Sequence, residues 1–121
     1  MPRENLIRQM HNLQDEVLLL GSMVEQAMTN AVDALKRRDQ QAAREIHAAD
    51  RRINEKRFAI ENAILILIAT QQPMAHDLRQ LTAMLEVITE LERMGDYAKG
   101  IAKVVVRLGD SPLTIPARDL T

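Results

Sequence analysis

Apolar side chains in the first third of the chain fall at Leu6, Met10, Leu13, Val17, Leu20, Val24, Ala27, Ala31 and Leu35, with Ala34 beside the last. The steps alternate between four and three. An α-helix returns its side chains to one face at that spacing, whereas a strand would scatter them over both faces. The seam lasts about four heptads, the signature of a helix packed lengthwise against others. It predicts one helix over residues 5–38, with no Pro after Pro2 and only Gly21 as a weak point. At about 1.5 Å per residue, such a rod is about 50 Å long.

Two more rods of similar length follow. Lys36-Arg37-Arg38 suits the negative end of the first helix dipole, and the carboxylate of Asp39 suits the exposed N–H groups of a new helix. The second helix is predicted over 40–70, with Ala42, Ile46, Ala49, Ile53, Ile60, Ile64 and Leu67 on one face. Gln71-Gln72-Pro73 breaks it, since Pro disfavours helix in the residue before it and favours a new first turn. The third helix is predicted over 74–108, with a stripe of Met74, Leu78, Leu81, Leu85 and Ile88. Gly109-Asp110-Ser111-Pro112 stops it. Short turns between long rods make an all-α, up-down-up antiparallel three-helix bundle, here residues 4–108. Residues 109–121, with Pro112 and Pro116, read as a linker-like tail.

Composition narrows the function. The 16 basic and 17 acidic residues nearly cancel, which argues against nucleic acid as a partner. Phe58 and Tyr97 are the only aromatics, too few for a base-stacking platform. Without cysteine, thiolate metal sites and disulfides are excluded. The longest apolar run, Ala63–Ala69, falls far short of the roughly 20 residues of a membrane span, and no secretory leader pattern opens the chain. A domain in the cytoplasm, or peripheral to the inner face of the membrane, is expected. No nucleophile–base pair or phosphate-cradling loop is visible, so no enzymatic activity is expected. Residues 64–68 and 18–20 carry more apolar surface than one bundle stripe needs. Either the core face is locally wide, or a second bundle or subunit packs outside, and the expectation is at least a homodimer.

Carboxylates provide the candidate site. Extending the third stripe from Leu81, Leu85 and Ile88 lands on Glu92, with Asp96 one turn further. Two inward acids four residues apart repel and are desolvated, so each needs a partner. The sequence offers Arg93 or Lys99 locally, Arg57 across from the second helix, or a bound cation, since hard cations take carboxylate oxygens. Asp50 and Asn54 flank the second stripe at the height where an antiparallel hairpin brings residues 92–96. The candidate ligand set is therefore Asp50, Asn54, Glu92 and Asp96, with structural ion pairing as the alternative. Gly95 between the two acids costs about 1 kcal/mol of helix propensity, which a close helix approach or room for a ligand would explain.

Glu92-Arg93-Met94-Gly95-Asp96-Tyr97-Ala98 with Ile101-Ala102-Lys103, and Gln72-Pro73-Met74-Ala75-His76-Asp77-Leu78-Arg79, resemble the Leu-Glu-Arg-Ile-Gly-Asp and Gln-Pro-x-Ala-x-Asp-Leu-Arg segments of the PhoU family. The resemblance covers residues 4–108. It implies one of the two tandem three-helix repeats of that family, most similar to the N-terminal half. It also implies a negative regulator of phosphate-starvation signalling, in contact with the ATPase of a phosphate ABC transporter and with a sensor histidine kinase. By the same resemblance, iron or zinc would bind at Asp50 with Asn54 and at Glu92 with Asp96. Two positions depart from the family pattern: Asn54 replaces the usual Asp, and Gly100 stands where Asn often follows. Asn brings an oxygen but no charge, which implies weaker or fewer metals. His47, one turn before Asp50, is read as an exposed polar residue, and Asp77 as favouring the start of the third helix.

Overall fold

The computed structural model describes residues 2–109. Helix α1 spans Pro2–Arg37, α2 spans Gln40–Gln71 and α3 spans Ala75–Leu108, and each packs against the other two. This is the up-down-up bundle expected of the spacing. Helix α1 opens about three residues earlier than its seam predicts, because Pro2 fits a first helical turn, where no N–H partner is needed. Of the tail, only Gly109 is among the described residues.

Both connections are tight. Arg38 adopts φ 53°, its amide donates to Leu35 and the Asp39 amide donates to Ala34, a Schellman closure that satisfies the last carbonyls of α1. Asp39 then caps α2, its Oδ1 accepting the Ala42 amide at 3.0 Å. Residues 72–74 turn the chain again, with Gln72 left-handed at φ 47°. Gly109 ends α3 at φ 54°, where any other residue would be strained, and its amide bonds Val105.

The core grades in side-chain size along the rod. At one end, Leu6, Met10 and Leu13 meet Ile64, Leu67, Leu81 and Met84. At the other, Ala27, Ala31, Ala34, Ala43, Ala98 and Ala102 dominate. Small contact residues allow helix axes to draw together. Leu20, Val24, Ile64, Leu81, Ile88 and Val105 are almost fully enclosed, and each such burial contributes about 1.5–3 kcal/mol.

Helix α2 buries Ile46, Ile53, Ile60, Ile64 and Leu67 as predicted, whereas the face of α3 is turned from the predicted one. On α2, Ala43 and Asp50 are buried, while the expected Ala42 and Ala49 are half-buried. On α3, Leu81, Met84, Ile88, Gly95, Ala98, Ala102 and Val105 face inward, and Met74 and Leu78 are exposed. The seam runs through Met84 rather than Leu85, so its continuation reaches Leu91 and Gly95 instead of Glu92.

Candidate functional site: a buried carboxylate and its cations

The three-residue turn at 72–74 sets α2 and α3 in register, so residues equally far from it in sequence meet at one height. Asp50, Asn54, Glu92 and Asp96 accordingly line a single crevice, together with Leu20, Val24, Ile53, Arg57, Leu91 and Gly95. The four sequence-predicted residues are thus brought together, but they do not share an environment.

Asp50 is the buried member, its side chain only 9% exposed. Its Oδ2 accepts the Asn54 side-chain amide at 3.0 Å and faces Lys99 Nζ at 3.4 Å. Asn54 follows by one helical turn, the spacing at which α-helical side chains meet. Glu92 sits at the rim, 41% exposed, with Arg57 Nη1 at 3.6 Å. That corrects the expectation that Glu92 lies near the middle of the apolar face, a place taken by Gly95. Asp96 is exposed and has no cationic partner within 4 Å among the described residues.

Arg57 ties the level together. Its guanidinium donates to Glu61 at 3.2 Å, reaches Glu92 and lies 4.2 Å from the Phe58 ring centroid. Cross-helix pairing of Arg57 with Glu92 was among the partners the sequence offered. Lys99, one of the local partners the sequence offered to Asp96, reaches across to Asp50 instead, and Arg93 pairs with Glu90 at 3.4 Å. A buried carboxylate with a cation and an amide on one oxygen is satisfied, whereas the same carboxylate alone would be costly.

Among the described residues, no three His, Asp or Glu side chains converge as a metal ligand group. The crevice holds about 10 Å³, room for roughly one water-sized object. Lys99 and Arg57 occupy the charge positions a cation would take. In this arrangement the residues fit an ion-pair cluster better than a multinuclear metal cluster. His47 is exposed and lines a separate groove with Arg44, Lys103 and Arg107, away from Asp50.

A second buried acid was not recognised in full. Asp77 is 2% exposed, accepts the Met74 amide at 3.0 Å and binds both terminal nitrogens of Arg3, at 2.5 and 3.1 Å. The hydrogen bond from Arg3 is the main cause that holds its carboxyl below the usual range, against the desolvation that would raise it, with the Met74 amide assisting. The helix-start role read from the sequence is present. The partner Arg3 was missed, although an up-down-up bundle puts the starts of the first and third helices at one end.

Fold and site define an all-α three-helix bundle tied by cross-helix ion pairs. The family model described as PhoU domain matches residues 17–105, and the chain belongs to the PhoU domain family. The chain is 38% identical over 109 residues to the phosphate-specific transport system accessory protein PhoU homolog of Clostridium acetobutylicum, covering 89% of this chain and 50% of that protein. It is 35% identical over 98 residues to the phosphate-specific transport system accessory protein PhoU of Serratia marcescens, covering 81% and 40%. The Escherichia coli protein of the same name is 33% identical over 98 residues, covering 81% and 41%. The chain spans about half the length of the curated relatives it matches.

Proposed function

We propose that this chain is an accessory component of phosphate-specific transport, a cytoplasmic regulator that damps the phosphate-starvation response through protein contacts. The observation that carries this reading is the family match across residues 17–105, joined by relatives named as accessory proteins of that transport system. No described helix is long and apolar enough to cross a membrane, which fits action through partners that do. The family resemblance points to the transporter ATPase and a sensor histidine kinase as those partners. Deletion of the gene should raise phosphate-regulated expression in phosphate-rich medium, with restoration by the intact gene. Unchanged expression would remove the assignment.

Within this level, Asp50 with Lys99 and Asn54, and Glu92 with Arg57, are proposed to serve chiefly as cross-helix ion pairs, with Asp96 left outside them. Iron or zinc held by Asp50, Asn54, Glu92 and Asp96 is a second reading, favoured by Asp96, an exposed carboxylate beside three further oxygen donors with no cationic partner of its own among the described residues. It requires Lys99 and Arg57 to release their acids. Metal analysis after growth in iron- or zinc-supplemented medium decides. Stoichiometric metal in the wild type, lost in Glu92→Gln/Asp96→Asn, supports it, and metal-free wild type rules it out.

A further inference from the structure

The end of α3 departs from the charge balance of the chain. Residues 97–108 hold Lys99, Lys103 and Arg107 and no acid, in a chain of net charge −1. The three cations are four residues apart, so they stand in one row along the helix. Lys99 is engaged by Asp50. Lys103 and Arg107 are exposed and have no carboxylate within 4 Å among the described residues.

The start of α2 lies against this end of α3, since a Cβ at Gly109 would meet Gln40 Nε2 at 3.2 Å. Arg44 and His47 of α2, both exposed, share a groove of about 340 Å³ with Lys103 and Arg107, and Ala102 and Val106 supply its apolar lining. The Arg44 guanidinium bonds the neutral Gln40 at 3.4 Å. The nearest charges further along α2 are already engaged, Asp50 with Lys99 and Arg51 with Glu55.

The needs of the helices do not explain these charges. Like charges one turn apart repel, as Lys99, Lys103 and Arg107 do. The α3 dipole favours Arg107 in the last turn, but that effect fades before Lys103. Arg44 stands just past the first turn of α2, near the positive end of its dipole, and that turn holds no acid.

We infer that this α2–α3 groove seats an acidic amphipathic helix of a partner protein. The occupant follows from charge and shape together. Cations from both helices attract carboxylates on the two flanks of an approaching helix, and the carbon of Ala102 and Val106 receives its apolar stripe. A free oxyanion has no apolar part to place there, and a bilayer surface is flat where this surface is concave. The inference rests on the reading that the chain works through protein contacts, and it adds the charge and shape of what is contacted.

A displayed library of helical peptides, each with a fixed leucine stripe and randomised flanks, tests this when panned against the whole chain at roughly physiological ionic strength. Enriched peptides should carry Glu or Asp on both flanks. One of them, synthesised and measured by calorimetry, should lose at least tenfold in affinity on Lys103→Glu/Arg107→Glu, with unchanged helical circular dichroism. Should that variant unfold, Arg44→Glu on the other helix must give the same loss. Replacing the peptide's acids by Lys should reverse its preference, favouring the variant over the wild type. Absence of acidic enrichment, or equal binding to wild type and variants, overturns the assignment. So does displacement of the peptide by inorganic phosphate at constant ionic strength, which marks an oxyanion site. Sedimentation of the wild type with phosphatidylglycerol vesicles, lost in the same variants, also overturns it, in favour of a membrane surface. Gene deletion tests the phosphate reading separately, so either can fail without the other.

Discussion

Arg3 and Asp77, 74 residues apart in sequence, form a two-pronged ion pair that joins the first turn of α1 to the first turn of α3. The folded carboxyl titrates below its unfolded value, so the unfolded chain binds more protons across that window. The stabilisation is complete above the ordinary carboxylate value of about 4 and is lost as pH falls through the depressed folded value. Urea unfolding of the wild type and Arg3→Met should therefore diverge near neutral pH and converge in strong acid. Parallel curves at every pH would contradict this.

Asp50 depends on Lys99. Lys99→Met leaves the buried carboxylate with Asn54 as its remaining side-chain partner, and should cost about 1–2 kcal/mol, less than a fully buried pair because Lys99 is partly exposed. Asp50→Leu combined with Lys99→Met removes both charges and should recover most of that loss. A double-mutant cycle in denaturant measures the coupling.

Gly95 has open space where a Cβ would stand, with nothing within 4 Å. Close helix approach therefore does not explain it. Gly95→Ala should raise stability by up to about 1 kcal/mol through helix propensity. If the space beside Asp50 and Glu92 serves regulation, the same variant should be more stable in thermal melts yet fail to restore phosphate control.

Arg38 holds the left-handed closing position of α1 at a cost that Gly does not bear. Arg38→Gly should stabilise the chain by up to about 1 kcal/mol in chemical denaturation, the gain being trimmed by the greater freedom of Gly when unfolded.

Much of this fold could be read from residues alone because its signals are local. Asp39 and Pro73 punctuate three uninterrupted heptad patterns, and a short turn at Pro73 suffices to place 50–54 beside 92–96. The rotation of α3 was not readable. Met84 and Leu85 are both apolar and differ by about 100° in direction, so only packing against α1 and α2 decides which points inward. That choice moved Glu92 from centre to rim. Lys99 had carboxylates within reach on its own helix and across the groove, and burial of Asp50 selected the second. Arg3 gave no local sign, since its partner lies two helices away.

The turns of α1–α2 and α2–α3 close over two or three residues, whereas α1 meets α3 only through contacts some 70 residues apart. Either hairpin can assemble rapidly from neighbours, and the remaining rod then docks as a late event. Interactions such as Arg3 with Asp77, formed after the barrier, govern how slowly the bundle opens rather than how fast it forms. Removing Arg3 should quicken unfolding and leave the refolding rate nearly unchanged.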